Sequence, residues 1–459
     1  MKRWPIYDEE QIDEVVAVLR SSRVNAWTGE HVGRFEEAYA KYLGRRHAVA
    51  LANGTVALDL AMRVLGIGAG DEVIVTPRSF VASAACVPFA GATPVFADVD
   101  PISGNLSAET IAPKITSRTK AVIVVHVAGW PCDMGPIMEL AQRTGIKVVE
   151  DCAQAHGAEY YGRPVGSLGD IAAFSFCQDK IITTGGEGGL VAMDDDAMWA
   201  KAWSIKDHGK CYDTVKRPNP APGFRWVHES VGTNWRMMSI QAVLGLRQLE
   251  RLHEWRAQRT RNAEIWRRTL VDIPMLFTPQ LDPAHTHGWY RFYTYIRPGT
   301  FPVGLGMARD ALIAKISNAG VPCFSGSCSE IYLERAFTDA GFAPAERLPT
   351  ARLLGETSLA FLTDPSWSEE ETADAAAVAR GIILGSAREL QRRPSSRVRI
   401  RARQIAGREP KTDAATIILN AGKIGPQPQA RGAPASTLAQ ANGHHRGSGG
   451  RLSRAEPAK

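Results

Sequence analysis

Lys147-Val148-Val149-Glu150-Asp151 runs directly into Cys152-Ala153-Gln154-Ala155-His156-Gly157. A second apolar segment, Phe174-Ser175-Phe176-Cys177-Gln178-Asp179-Lys180, leads into the glycine-rich Thr183-Thr184-Gly185-Gly186-Glu187-Gly188-Gly189. Each apolar run is short, nearly continuous in hydrophobic character, and has a polar loop behind it. That is the signature of a strand buried on both faces whose end delivers side chains to the rim of a sheet. Working outward, similar runs rich in valine and isoleucine occur at 47–52, 72–76, 93–99, 121–127, 172–176 and 189–193. Helical patterns fit between several of them, at 56–64, 82–89 and 134–144. The expected fold is α/β, with a large domain built on a mostly parallel seven-stranded sheet.

Around this centre, residues 8–20 and 32–43 read as helices, and another is expected at 195–206. The proline-rich Pro218-Asn219-Pro220-Ala221-Pro222-Gly223 reads as a surface loop. A long helix over 239–269, with Leu244, Leu249, Leu252 and Trp255 as an apolar stripe, should bridge to a smaller α/β C-terminal domain. There, 290–296 is strand-like and 308–319 and 369–384 are helical. The expected organisation is therefore a large domain over 1–240, a bridging helix and small domain over 241–387, and a tail over 388–459.

The 459 residues carry a formal net charge of +6, but that figure belongs to the tail. From Arg388 to Lys459 there are 15 basic and 4 acidic residues, which leaves 39 basic against 44 acidic in the rest of the chain. The tail is also rich in proline, glycine, serine, alanine and glutamine, a composition that buries no core and is expected to be disordered. No dedicated partner is expected for it, neither nucleic acid nor membrane. No apolar run approaches the ~20 residues that span a bilayer, and the N-terminus has no apolar segment behind its two basic residues. The seven cysteines are scattered, without paired CxxC spacing, and read as reduced thiols instead of a disulfide framework or a metal site. The expected location is the cytoplasm.

The chemistry concentrates where the strands end. Lys180 lies twenty-nine residues beyond Asp151. A lysine amine and a carboxylate so placed are what pyridoxal 5′-phosphate requires, the first for a Schiff base and the second to keep the pyridine nitrogen protonated. Asn53-Gly54-Thr55-Val56-Ala57-Leu58 follows a predicted strand and opens a helix. Its free N–H groups and the Thr55 hydroxyl suit a phosphate, although a helix cap uses the same residues. Ser175 is a second phosphate donor candidate, Phe80 a candidate to stack on the ring, and Gln154 a candidate for its phenolic oxygen. His156 is either a support for Asp151 or, as a lone histidine more often is, a structural residue. His287, Tyr290 and Arg291 suit either a substrate pocket or the polar start of a strand.

Taken in order, NGTVAL at 53–58, the strand and loop at 72–83, GATPVFADVD at 91–100, EDCAQAHGA at 150–158, GSLGDIAAFSFCQDK at 166–180 and GTNWRMMSIQAVLGLRQLERL at 232–252 closely resemble the DegT/StrS family of sugar aminotransferases. The resemblance spans about 5–385 and implies the fold type I of pyridoxal phosphate-dependent transferases. It implies Lys180 as the cofactor lysine, Asp151 as partner of the ring nitrogen, Phe80 and Gln154 against the ring, and Gly54, Thr55 and Ser175 at the phosphate. It further implies a homodimer in which Asn234 of the neighbouring subunit completes the phosphate site. The implied reaction moves an amino group from L-glutamate to a nucleotide-linked keto sugar, most simply a 4-keto-6-deoxyhexose. A 3-keto sugar or a keto-inositol are alternative acceptors, and a non-catalytic protein on the same scaffold is the remaining alternative. Lys180 argues against the family's dehydratases, which carry histidine there. Arg78 departs from the small or aromatic residue of many members and is expected to alter the pocket lip.

Overall fold

The computed structural model describes residues 3–218, 223–301 and 304–392. Seven strands form the main sheet: β1 (His47–Leu51), β2 (Glu72–Val75), β3 (Thr93–Phe96), β4 (Thr119–Val125), β5 (Lys147–Asp151), β6 (Ile171–Ser175) and β7 (Gly189–Met193). Their order is β1-β7-β6-β5-β4-β2-β3. Strands β6, β5, β4, β2 and β3 pair in parallel, and β7 runs antiparallel to both β1 and β6. The expected α/β architecture and mostly parallel seven-stranded sheet are therefore present.

Burial on both faces explains the continuous apolar runs. In β1, Val49 and Leu51 enter one core, while Ala48 and Ala50 enter the other. Ile171 and Ala173 of β6 divide from Ala172 and Phe174 in the same way. Helix α1 (Glu9–Arg20) opens with a capping box in which Asp8 and Gln11 exchange side chain-to-backbone bonds. Helices α2 (His31–Leu43), α3 (Gly54–Leu65), α4 (Ala82–Phe89), α5 (Met134–Thr144) and α6 (Asp196–Lys206) cover the sheet.

The long helix α7 spans Ser239–Leu270 and serves two cores. Ala242, Leu252 and Trp255 pack beside the main sheet, whereas Ala263, Trp266 and Leu270 pack on a second sheet. Its buried face differs from the all-apolar stripe expected, because Gln248, Arg259 and Asn262 are also fully buried there. Each has a partner: the Thr183 N–H donates to Gln248 Oε1 at 2.8 Å, Arg259 pairs with Asp364 at 3.1 Å, and Asn262 donates to the Asp364 carbonyl at 2.9 Å. The pairing is incomplete, since Gln248 Nε2 and Arg259 Nε and Nη2 are buried without a hydrogen-bond partner among the described residues.

The second sheet has four antiparallel strands, β8 (Leu276–Phe277), β9 (Phe292–Ile296), β10 (Cys323–Phe324) and β11 (Ser358–Phe361), in the order β8-β9-β11-β10. Of these only β9 was expected. Helices α8 (Leu305–Asn318), α9 (Pro349–Thr357) and α10 (Glu369–Arg392) accompany it, and α10 continues eight residues past its expected end. Residues 219–222 of the proline-rich loop and 393–459 of the tail lie outside the described residues.

Candidate active site

The parallel strands β2, β4, β5 and β6, together with β1, all end at one edge of the sheet, the edge where ligands bind in open α/β folds. Asp151 is the last residue of β5, in register with Val125 of β4 and Ala173 of β6. It is buried, at 3% exposure. The Ser83 hydroxyl donates to its Oδ2 at 2.7 Å and the Ala153 N–H to its Oδ1 at 3.1 Å. Ser83 in turn bonds Ser79 at 2.8 Å. Burial raises the Asp151 carboxyl above the usual range, against the opposing pull of Ser83, the Ala153 N–H and the charge of Lys180. A carboxyl in that state favours a cationic partner.

Beneath it, Glu150 anchors the loop that follows. Its Oε1 accepts from the Leu168 and Gly169 N–H groups at 2.8 and 2.6 Å, and its Oε2 from Gly166 N–H at 2.8 Å and His126 Nε2 at 3.1 Å. Burial opposes the charge, but His126 and the loop amides outweigh it and hold the carboxyl below its usual range. His126, Glu150 and Cys152 lie close enough to suggest a metal site, with ligand atoms within 4.8 Å of one another. The hydrogen bonds argue otherwise. His126 Nδ1 already accepts from Cys132 N–H at 2.9 Å, Nε2 faces Glu150, and Glu150 has no free lone pair.

The phosphate candidates converge through close backbone approach. Gly189 of β7 sits between Leu51 and Ser175, and a Cβ there would lie 2.1 Å from the Asn53 carbonyl oxygen. A Cβ on Gly54 would lie 2.5 Å from Ser175 Cβ. Asn53 caps α3 by accepting from Val56 N–H at 3.0 Å, which leaves the Gly54 and Thr55 N–H groups free at the helix N-terminus. Gly54→Ala is therefore expected to push Ser175 away. The outcome should be at least about tenfold weaker binding of the phosphate-bearing cofactor, measured by titration, with the free-protein fold retained.

Phe80 leaves its ring bare, at 64% exposure, directly after β2. Lys180 follows β6, its side chain only 14% exposed. Its Nζ lies 3.3 Å from Asp179 Oδ1 and 5.1 Å from the ring centre of Tyr290. The Trp4 indole N–H donates to the Lys180 carbonyl at 2.8 Å, fixing the backbone there. Gln154 is more committed than expected, since its Oε1 accepts from Ala128 N–H at 2.8 Å and its Nε2 donates to Ser327 Oγ at 3.4 Å. One N–H of that amide remains free for a ligand.

The structure decides the role of His156 and revises the placement of Arg78. His156 does not support Asp151: its Nε2 donates to the Ser175 carbonyl at 2.8 Å, and its Nδ1 accepts from Tyr39 hydroxyl at 2.7 Å. Burial lowers its pKa to about 4, so this neutral ring holds the backbone of Ser175 in place. Arg78 is not at a lip but 1% exposed, donating to Ser329 Oγ at 2.9 Å and Tyr295 hydroxyl at 3.1 Å. With Ser79 N–H donating to the Cys328 carbonyl at 3.0 Å, it fastens the Phe80 loop to the second sheet. Asn234 is exposed, its Oδ1 accepting from Arg236 N–H at 3.4 Å, and within one chain it does not join the other candidates.

The sequence reading missed Ser79, Ser83, Asp179 and Ser327. Ser83 lies in the first turn of α4, whereas Ser79 precedes that helix and bridges to Cys328. Ser327 had no signal, being brought in from 173 residues beyond Gln154 by folding alone. Tyr290, ambiguous in sequence, is drawn to the Lys180 side of the site.

Residues 5–382 match the DegT/DnrJ/EryC1/StrS aminotransferase family. The chain is 40% identical over 318 residues to GDP-perosamine synthase of Caulobacter vibrioides, covering 69% of this chain and 81% of that protein. It is 34% identical over 337 residues to L-glutamine:2-deoxy-scyllo-inosose aminotransferase of Streptomyces kanamyceticus, covering 71% and 78%. Among solved structures, an aminotransferase from Psychrobacter cryohalolentis superimposes with a TM-score of 0.80 at 48% identity, covering 85% of this chain and 99% of that one.

Proposed function

Because this chain belongs to the DegT/DnrJ/EryC1/StrS aminotransferase family, we propose that it transfers an amino group from L-glutamate to a 4-keto-6-deoxyhexose carried on a nucleoside diphosphate. The product would be an amino sugar for a surface polysaccharide or a glycosylated metabolite, made in the cytoplasm. The observation that carries the reading is the placing of a buried acid, a largely buried lysine and a helix N-terminus packed closely on Ser175 at one sheet edge. The likeness to GDP-perosamine synthase supports a nucleotide sugar as acceptor.

Pyridoxal 5′-phosphate fits these residues and, when bound, would supply an aldehyde for Schiff-base formation and an electron-withdrawing ring. Gly54, Thr55 and Ser175 would hold its phosphate, Phe80 would cover the ring, and Gln154 would offer its free N–H to the phenolic oxygen. Asp151 would keep a proton on the ring nitrogen. Lys180, with its amine free and uncharged, takes the proton from Cα of the donor amino acid. In the second half of the cycle it delivers a proton to the former carbonyl carbon of the sugar.

The site is proposed to be completed by Asn234 of a second copy of the chain. The surface beside Asn234 supports this, since Phe224, Trp226 and Val231 are 76%, 82% and 96% exposed. So much bare apolar surface in one loop is what an interface covers.

A second reading, a keto-inositol as acceptor, is favoured by the scyllo-inosose aminotransferase likeness alone. Incubation with glutamate and a panel of 3-keto sugar nucleotides, 4-keto sugar nucleotides and keto-inositols separates the two. Mass and NMR analysis should find an aminated 4-keto-6-deoxyhexose nucleotide. Turnover of the inositol alone would overturn the nucleotide-sugar assignment.

A further inference from the structure

We propose that Asp179, braced by Tyr290, is a positioning carboxylate that holds the Lys180 side chain at the site while its amine is released from the cofactor and carries a proton. The proposal rests on Lys180 being the cofactor lysine and goes beyond it by giving the released amine a defined seat. Adjacent side chains in a loop have no intrinsic reason to meet. Here they do, with Lys180 Nζ at 3.3 Å from Asp179 Oδ1.

The second observation comes from a distant part of the chain. The Tyr290 hydroxyl donates to Asp179 Oδ2, so the two oxygens of one carboxylate are divided between the ammonium and the phenol. Tyr290 is itself buried, at 8% exposure, and its ring centre lies 5.1 Å from Lys180 Nζ. The amine thus sits between an anion and an aromatic face, two groups that both attract a cation. Arg291 lies over the same Tyr290 ring, its Cζ 4.2 Å from the centre.

The other titratable groups around this seat are Asp151, His156, Cys177 and Arg291. His156 is kept neutral by burial and adds no charge. Burial pushes the Asp179 carboxyl up, but Lys180, Tyr290 and Arg291 outweigh it and keep the group below its usual range. The seat is therefore charged through the neutral pH range.

A cofactor lysine must leave and return in every catalytic cycle. A free four-carbon stem samples many rotamers, and tethering its end restricts that search. Asp179 would hold the amine by a charge-assisted contact that a competing covalent bond can displace.

Competitive acetylation of the full-length, cofactor-free protein, read by mass spectrometry of peptides, tests the proposal. Exposed Lys120 is the internal standard and buried Lys206 reports on loss of fold. Asp179→Asn should raise Lys180 labelling relative to Lys120 by about threefold or more at fixed pH. Tyr290→Phe should give a smaller rise, and Asp179→Glu should return labelling toward the wild-type ratio. Lys206 should stay protected throughout. An unchanged Lys180 ratio in Asp179→Asn, or a rise matched by Lys206, would overturn the proposal. Because the readout needs no cofactor, it is distinct from borohydride trapping, whose failure would overturn the cofactor role of Lys180 itself.

Discussion

Lys180→Ala is expected to lower turnover by about 10⁴-fold or more, the upper range for removal of a general acid–base. The same change should abolish the visible absorbance of the imine between this lysine and the cofactor. In the wild-type protein, borohydride reduction followed by peptide mapping should place the label at position 180; a label elsewhere, or none, would remove the basis of the proposed chemistry. The effect should be chemical and not structural. The contacts of the Lys180 side chain are with Asp179 and Tyr290, at the site itself. Trp4 binds the Lys180 carbonyl, which alanine retains. Stability should therefore change by less than about 1 kcal/mol, as for other partly exposed ion pairs. A variant that keeps its melting temperature and loses all turnover would match this account.

Asp151→Asn is expected to reduce turnover on the order of a thousandfold, comparable to removing one strong electrostatic contact from a dry site. Asparagine preserves the shape and can still accept from Ser83, but it lacks the charge that would hold a proton on the ring nitrogen. The buried carboxyl is already raised by desolvation, so a neutral amide of the same size should cost little stability. Asp151→Glu keeps the charge but adds a methylene to a site that is 3% exposed, and should recover only part of the rate. The decisive comparison is kcat for the aspartate and asparagine proteins, each saturated with cofactor. Equal values would remove Asp151 from the chemistry. A wild-type protein that stayed colourless with added pyridoxal phosphate would instead favour a non-catalytic member of the fold.

Both residues were legible because their signals are local. Asp151 ends a strand in which four consecutive residues, Val148 to Asp151, are buried, and Lys180 follows a second buried run after a short loop. All seven strands of the main sheet were likewise found within a few residues of their observed ends. Of the second sheet only β9 was, and β8 and β10 are two residues long and carry no periodicity to read. Polar residues inside the apolar face of α7 escaped for a related reason. Gln248, Arg259 and Asn262 each take a hydrogen-bond partner from far along the chain.

The sequence alone thus determined the sheet, the order of its helices, and the two groups on which the proposed chemistry turns, since hydrophobic period and strand ends are properties of short segments. Only the tertiary structure decided what each polar side chain is attached to. It gave His156 to the Ser175 backbone instead of Asp151, buried Arg78 as a fastening between the sheets, and brought Tyr290 to Asp179 across 111 positions. A hydrogen bond depends on the meeting of two atoms in space, and no stretch of chain carries the address of its distant partner.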